Sequence, residues 1–369
     1  MERRGFLKNA SVVAAAAAVP VGVSAQSPAA QETAPETAPE TAPATAPAQG
    51  TSHGPWAQPP ETFDQNGMKY RVLGMTGERV SLIGLGGFHL ARPNGPSAQE
   101  ATNLVRSAID AGVNFCDNCW DYNGGESEIR LGNALAEGYR QRAFLMSKID
   151  GRTAQAAMRQ LETSLKRLRT DHIDLLQFHE VIRMDDPERI FARGGALEAV
   201  LRAKEQGKVR HVGFTGHKSP TIHKHMFDVA EQHGFRFDTV QMPVNIMDAH
   251  FDSFQHTIFP IARRQGTAVL AMKTFGDHFI LDANVASPIE MLHFSMSQPV
   301  SVVITGVDRE EVLQQALQAV RTYAPMTEQQ QKELLARSAA AAQDGKTERY
   351  KVSHHFDGTV QNPGWLTEG

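Results

Sequence analysis

The sequence predicts an α/β fold, a (β/α)8 TIM barrel with an N-terminal hairpin and a C-terminal helical extension. Three observations carry this expectation. From Lys69 onward, short apolar runs alternate with helical stretches, the pattern of parallel βα units. Eight such runs occur within the length of one barrel. The first run ends Gly84-Leu85-Gly86-Gly87-Phe88, which lacks the full G-x-G-x-x-G turn that usually opens a doubly wound sheet.

The expected barrel strands are Ser81–Gly86, Asn114–Asp117, Phe144–Lys148, Ile173–His179, Val209–Thr215, Thr239–Met242, Ala268–Met272 and Val300–Thr305. Between them lie helices with one apolar stripe each. Met158, Leu161, Leu165 and Leu168 recur at helical spacing, as do Val312, Leu313, Ala316, Leu317 and Val320. These stripes face a core. Ahead of the barrel, Tyr70–Leu73 and Val80–Leu82 flank Gly74-Met75-Thr76-Gly77, a hairpin placed to plug the barrel bottom. The barrel is assigned residues 63–325. Residues 326–369 form a C-terminal extension, helical over Thr327–Ala342 and irregular after it.

The first 62 residues read differently. Arg3 and Arg4 precede Phe6-Leu7-Lys8, a weakly apolar run extends from Val12 to Val23, and Val23-Ser24-Ala25 is a small-x-small cleavage pattern. The run is shorter than the ~20 residues a spanning helix needs, so no stable membrane span is expected. Residues 1–25 resemble a twin-arginine signal cleaved after Ala25. That resemblance implies the export machinery as a partner and a periplasmic location. Residues 26–62 repeat Glu-Thr-Ala-Pro three times and have little to bury, so they are read as an extended linker. Replacing Arg3 and Arg4 by Lys is expected to leave an uncleaved precursor in the cytoplasm. Fractionation with antibody detection checks this, and efficient export of the double-Lys chain would make the signal an ordinary secretory one.

The net charge is −4 and the Lys and Arg residues are scattered. No basic stripe exists for nucleic acid. Two cysteines, Cys116 and Cys119, are too few for a disulfide framework. Their C-x-x-C spacing leaves a redox pair or half a metal site open against simple packing. Packing is the favoured reading, and no metal site is expected. The pairs His354-His355 and His223 with His225 are read as surface residues.

In a barrel of this type the chemistry sits at the C-terminal ends of the strands. The second strand ends in Asp117, with Tyr122 in the following loop, the third in Lys148 and the fourth in His179. A charged residue buried at a strand end needs a partner, and Asp117 and Lys148 lie on neighbouring strands. A cation beside Tyr122 favours its phenolate and is expected to lower its pKa. A phenol so placed can act as general acid toward a carbonyl oxygen, and His179 can hydrogen-bond the same oxygen.

At these residues the chain resembles the aldo-keto reductase family over roughly residues 69–323. The strings that carry the likeness are Arg71-Val72-Leu73-Gly74-Met75-Thr76-Gly77, the run Asn114 through Glu128, Ser147-Lys148 and Asp174-Leu175-Leu176-Gln177-Phe178-His179. The run from Asn114 matches the family's F-x-D-T-A-x-x-Y-G-x-S-E signature with one insertion. The resemblance implies hydride transfer between a nicotinamide cofactor and a small carbonyl substrate. Tyr122 would be the proton donor, Lys148 and Asp117 would tune it, and His179 would position the carbonyl. It further implies that Gly86, Gly87 and Phe88 approach the dinucleotide and that Thr215 and Gln241 hold its carboxamide. Met272 would take the place of a stacking aromatic, and Gly306 and Arg309 would lie in the phosphate stretch. Only Arg309 is basic in that stretch. NADP(H) is favoured over NAD(H) on family grounds alone. The alternative function is a catalytically retired barrel that binds nicotinamide as a regulatory module.

Overall fold

In the computed structural model the described residues are 58–368. The expected twin-arginine signal and most of the expected linker lie outside them. Three short strands open the described chain: β1 (Phe63–Gln65), β2 (Met68–Val72) and β3 (Arg79–Ser81). They form an antiparallel sheet of their own in the order β1-β2-β3. The expected hairpin is therefore present with one more strand.

Eight parallel strands then close a barrel. They are β4 (Ile83–Gly86), β5 (Phe115–Asp117), β6 (Phe144–Ile149), β7 (Ile173–Phe178), β8 (Val209–Thr215), β9 (Thr239–Pro243), β10 (Ala268–Met272) and β11 (Val302–Gly306). Sequential neighbours pair throughout, and β11 returns to β4. Each expected strand is present, with ends shifted by a few residues at most. His179 falls just past β7, and its backbone N–H still donates to Ile149 O.

Helices follow the strands as the periodicity requires. Ala154–Leu168 buries Leu161, Leu165 and Leu168, and Glu310–Thr322 buries Leu313, Ala316, Leu317 and Val320. The main core lies between these helices and the outer face of the barrel and includes Cys116. A second cluster, Phe115, Phe144, Met146, Leu175, Leu270 and Val302 among others, is closed by Leu73 and Val80 of the hairpin. The hairpin does plug the bottom. A side chain at Gly74, where φ is +54°, would meet Ala268 N at 2.9 Å, so the turn packs hard against the start of β10.

The extension begins with helix Glu328–Ala342, capped by a reciprocal Thr327–Gln330 box. The remaining tail crosses the C-terminal ends of the strands. Glu180 accepts from the backbone N–H groups of Gly358 and Thr359 at 2.8 and 2.7 Å. His217 meets Asp357 at 3.1 Å, and Arg152 N donates to Leu366 O at 2.8 Å.

One expectation about histidines needs correction. His225 is on the surface with Glu188, but His223 is fully buried between Phe214 and Phe254. In helix Pro220–Gln232 it shares the inward face with Ile222, Met226, Phe227 and Ala230. Neither ring nitrogen has a hydrogen-bond partner among the described residues.

Candidate active site

The parallel register sets strand ends side by side. Asp117 pairs with Gly86 on one side and Met146 on the other, and Thr215 pairs with Gln241. Side chains projecting from these ends therefore share one rim. Lys148 is 1% exposed. Its Nζ forms an ion pair with Asp117 Oδ1, donates to Asn118 O at 2.8 Å and reaches Tyr122 Oη at 3.0 Å. The cost of burying the ammonium is offset by these three acceptors.

Tyr122 sits on a turn whose Asn123 and Gly124 have left-handed backbone, φ 52° and 66°. That turn returns the chain to helix Glu126–Ala134. Phe88 packs edge-on to Tyr122 at 5.5 Å. Burial, then the Asp117 charge, pushes the phenol well above its ordinary value. The expected lowering is not observed. Lys148 is a cation, but its charge is largely balanced by Asp117, so little remains to stabilise a phenolate in a desolvated site. Tyr122 is thus held as a neutral phenol, the form that can give up a proton.

His179 stands edge-on to Tyr122 with ring centres 5.8 Å apart. Its contacts run through Nδ1, which lies 3.0 Å from Asp150 Oδ1 and 3.3 Å from Cys119 Sγ. Asp150 also accepts from Trp120 Nε1. Burial alone would depress the imidazole, but the charges of Asp150 and Asp121 outweigh it and raise the pKa. Nε2 has no hydrogen-bond partner among the described residues, so it can face a ligand. Asp121 is pushed up to about 6 by burial and by the Asp150 charge.

On the opposite side of the rim, Gln241 Nε2 donates to Asp117 Oδ2 at 3.0 Å. Its Oε1 is buried with no hydrogen-bond partner among the described residues, an acceptor left for a ligand. Thr215 is buried beside it. Gly86 and Gly306 are paired at the ends of β4 and β11, and Met272 ends β10, half-buried. Gly87 has a packing reason of its own, since a side chain there would come within 2.5 Å of Asp117 O. Phe88 is 43% exposed and Arg309 is 63% exposed, the latter bonded to Asp308 at 2.9 Å. Arg309 is outside the buried cluster, on the N-terminal side of helix Glu310–Thr322.

Several groups at this rim escaped the sequence reading. Arg92 also pairs with Asp308, so a second basic side chain stands near the phosphate stretch. His89 Nδ1 is buried with no hydrogen-bond partner among the described residues, and burial lowers its pKa. The sequence already offers Lys273, beside Met272, as a further basic group near the cofactor stretch; with φ 60°, it has its ammonium 5.0 Å from the ring centre of Phe356. Asp150 and Glu180 directly follow Ile149 and His179 in the chain, and their position just past a strand end was the available signal. The two cysteines are free and buried. Burial pushes Cys116 up to about 12 and Cys119 well above its ordinary value, so neither is a reactive thiolate as it stands.

Comparison with known proteins adds three findings. The profile described as Aldo/keto reductase family matches residues 82–293, more than half of the chain. L-galactose dehydrogenase of Arabidopsis thaliana is 32% identical over 158 residues, covering 40% of this chain and 49% of that protein. Aldo-keto reductase YhdN of Bacillus subtilis is 27% identical over 213 residues, covering 53% of this chain and 59% of its own. The matched region thus spans about half to three-fifths of these two relatives. Among solved structures, an aldo-keto reductase from Bacillus halodurans in its holo form superposes with a TM-score of 0.61 at 22% identity, covering 76% of this chain and 99% of that one. An aldo/keto reductase from Klebsiella pneumoniae in complex with NADP and acetate gives 0.58 at 21% identity, covering 73% and 95%. At these identities the structural likeness speaks to the fold.

Proposed function

The chain belongs to the aldo/keto reductase family, and from that premise we propose that it transfers hydride between a nicotinamide dinucleotide and the carbonyl carbon of a small substrate. The observation that carries this reading is the Tyr122 hydroxyl, held by Lys148 Nζ at 3.0 Å with the ring edge-on to His179. Together they offer a proton and a second donor to one oxygen atom.

The residues fit a nicotinamide. Gln241 Oε1 is a buried acceptor without a donor, and a carboxamide N–H supplies one. Thr215 lies beside it on the next strand. Gly86, Gly87 and Phe88 on one side and Met272, Gly306 and Arg309 on the other would line the rest of the cofactor. When bound, the reduced cofactor supplies the hydride.

The chain's own residues do the remainder. Tyr122 holds the proton at Oη and releases it to the carbonyl oxygen as negative charge develops there. Lys148, anchored by Asp117, holds Oη at 3.0 Å and offsets a small part of the charge left there. Asp150 fixes the ring of His179 through Nδ1, so that Nε2 orients the carbonyl. Phe88 and the tail around Gly358 limit access of water to the rim.

The preference for NADP(H) over NAD(H) is proposed to be slight. Arg309 and Arg92 both pair with Asp308, so a 2′-phosphate would have to compete with that carboxylate. A charge-assisted contact contributes about 1.5–3 kcal/mol when fully made. Here it is partly offset, so the ratio of kcat/KM values for NADPH and NADH is expected to stay within roughly a hundredfold. Steady-state rates with both cofactors over a panel of aldehydes and ketones test this reading. A preference of several orders of magnitude would mean that the phosphate is bound elsewhere, and no turnover with either cofactor would count against the proposed reaction.

A further inference from the structure

Beneath the rim, three successive strand ends bring a thiol, an imidazole and two carboxylates together. Cys119 and Asp121 come from the loop after β5, Asp150 follows β6 and His179 follows β7. One ligand atom from each lies within 4.8 Å of all the others. We propose that Cys119, Asp121, Asp150 and His179 form a four-coordinate site for a divalent metal ion of the zinc class.

Geometry is the first support. His179 Nδ1 is 3.0 Å from Asp150 Oδ1, 3.3 Å from Cys119 Sγ and 3.7 Å from Asp121 Oδ1. Zinc bonds of about 2.0–2.3 Å in a tetrahedron give edges of about 3.3–3.8 Å. The three separations from His179 Nδ1 lie near those edges and every other pair of ligand atoms lies within 4.8 Å, so side-chain rotations would complete the shell. The donor set of one nitrogen, one sulfur and two oxygens suits a borderline ion such as zinc better than magnesium or calcium, which take oxygen ligands.

A second observation is independent of the spacing. Asp121 Oδ1 is buried and has no hydrogen-bond partner among the described residues. An unsatisfied buried carboxylate oxygen is costly, and this one lies 3.7 Å from His179 Nδ1. A cation held by both would supply the partner that Asp121 Oδ1 lacks. Outer contacts are also in place. Trp120 Nε1 donates to Asp150 Oδ2, and Cys119 N donates to Asn118 Oδ1 at 2.9 Å. Such outer partners orient metal ligands. The side chain of Asp121 is 12% exposed, which gives the ion a way in.

Binding displaces the thiol proton of Cys119 and any proton on His179 Nδ1. The dipositive ion then faces one thiolate and two carboxylates. Its attachment at Nδ1 forces the remaining imidazole proton onto Nε2, the donor that carbonyl positioning requires. The site is therefore compatible with the reductase chemistry, and the proton transfer stays with Tyr122.

The test is a titration of the full chain, reduced and metal-free, with Co2+ as a spectroscopic probe, followed by competition with Zn2+. The expected result is one equivalent of tightly bound cobalt with a thiolate-to-metal charge-transfer band and the intense visible bands of tetrahedral Co2+, both lost on adding Zn2+. Cys119→Ala should remove the charge-transfer band. Asp121→Asn should weaken binding by more than ~100-fold, since even outer-shell partners are worth about 10–100-fold. Thermal melts of the metal-free variants separate lost ligation from lost folding, and Cys119→Ser, which keeps the atom count, repeats the test if the alanine variant is unstable. No charge-transfer band in the parent chain, or unchanged affinity in Asp121→Asn, would overturn the site.

Discussion

Tyr122→Phe is expected to lower carbonyl reduction by about 10²–10⁴-fold, the usual worth of a positioned general acid, while leaving dinucleotide affinity nearly unchanged. The substitution removes only Oη. The ring stays edge-on to Phe88 and His179, and Lys148 keeps its ion pair with Asp117 and its bond to Asn118 O. Nothing in the Gln241–Thr215 side of the rim depends on that oxygen. Steady-state kcat measures the loss, and quenching of protein fluorescence by reduced dinucleotide measures affinity. Residual turnover within tenfold of the parent would remove Tyr122 from the proton-donor role.

The other large effect is on stability in acid. Burial drives His223 from an ordinary 6.5 down to about 3. Between those values the unfolded chain binds a proton at this position that the folded chain refuses. The folded-state pKa is depressed for a base, so stability is complete above about 6.5 and falls as the pH drops toward 3. The slope from this residue is about 1.4 kcal/mol per pH unit. His223→Leu removes the titration and both unpartnered nitrogens while nearly conserving volume. The variant is expected to match or exceed the parent at neutral pH, where an unpaired buried polar atom costs about 1–3 kcal/mol. Its advantage should grow by about 3 kcal/mol between pH 6.5 and pH 4. Urea unfolding at several pH values measures this, and parallel stability curves for the two proteins would contradict it.

The elements legible in the sequence were those governed by local periodicity. Short apolar runs at regular intervals gave all eight barrel strands, and helical stripes such as Leu161, Leu165 and Leu168 gave the packing faces. Asp117, Tyr122, Lys148 and His179 were readable because barrel topology assigns strand ends to one rim, and the structure does bring these four together. The rest depends on contacts between residues far apart in the chain. Asp357 reaches His217 across 140 residues, and no local pattern reports that. The direction of the Tyr122 shift was misjudged because the charge of Lys148 was considered without the desolvation and the Asp117 partner. His223 was assigned to the surface for want of further metal ligands at fixed spacing, although its spacing from Met226 and Phe227 already placed it on the buried face.

The C-x-x-C motif shows how spacing alone can point to the wrong pairing. Cys116 faces the outer core and Cys119 turns to the rim, as alternation along an extended strand and its exit loop allows. The two thiols therefore answer to different environments, and the partners of Cys119 come from the ends of β6 and β7.

The most direct test of hydride transfer is a single-turnover experiment with the purified full chain. Enzyme loaded with reduced dinucleotide is mixed rapidly with a simple aldehyde, and the nicotinamide absorbance is followed. The expected result is a first-order loss of reduced cofactor in proportion to enzyme, absent in Tyr122→Phe. Tight cofactor binding with no loss of absorbance across aldehydes, ketones and quinones would contradict it, and would leave a barrel that binds nicotinamide without using it.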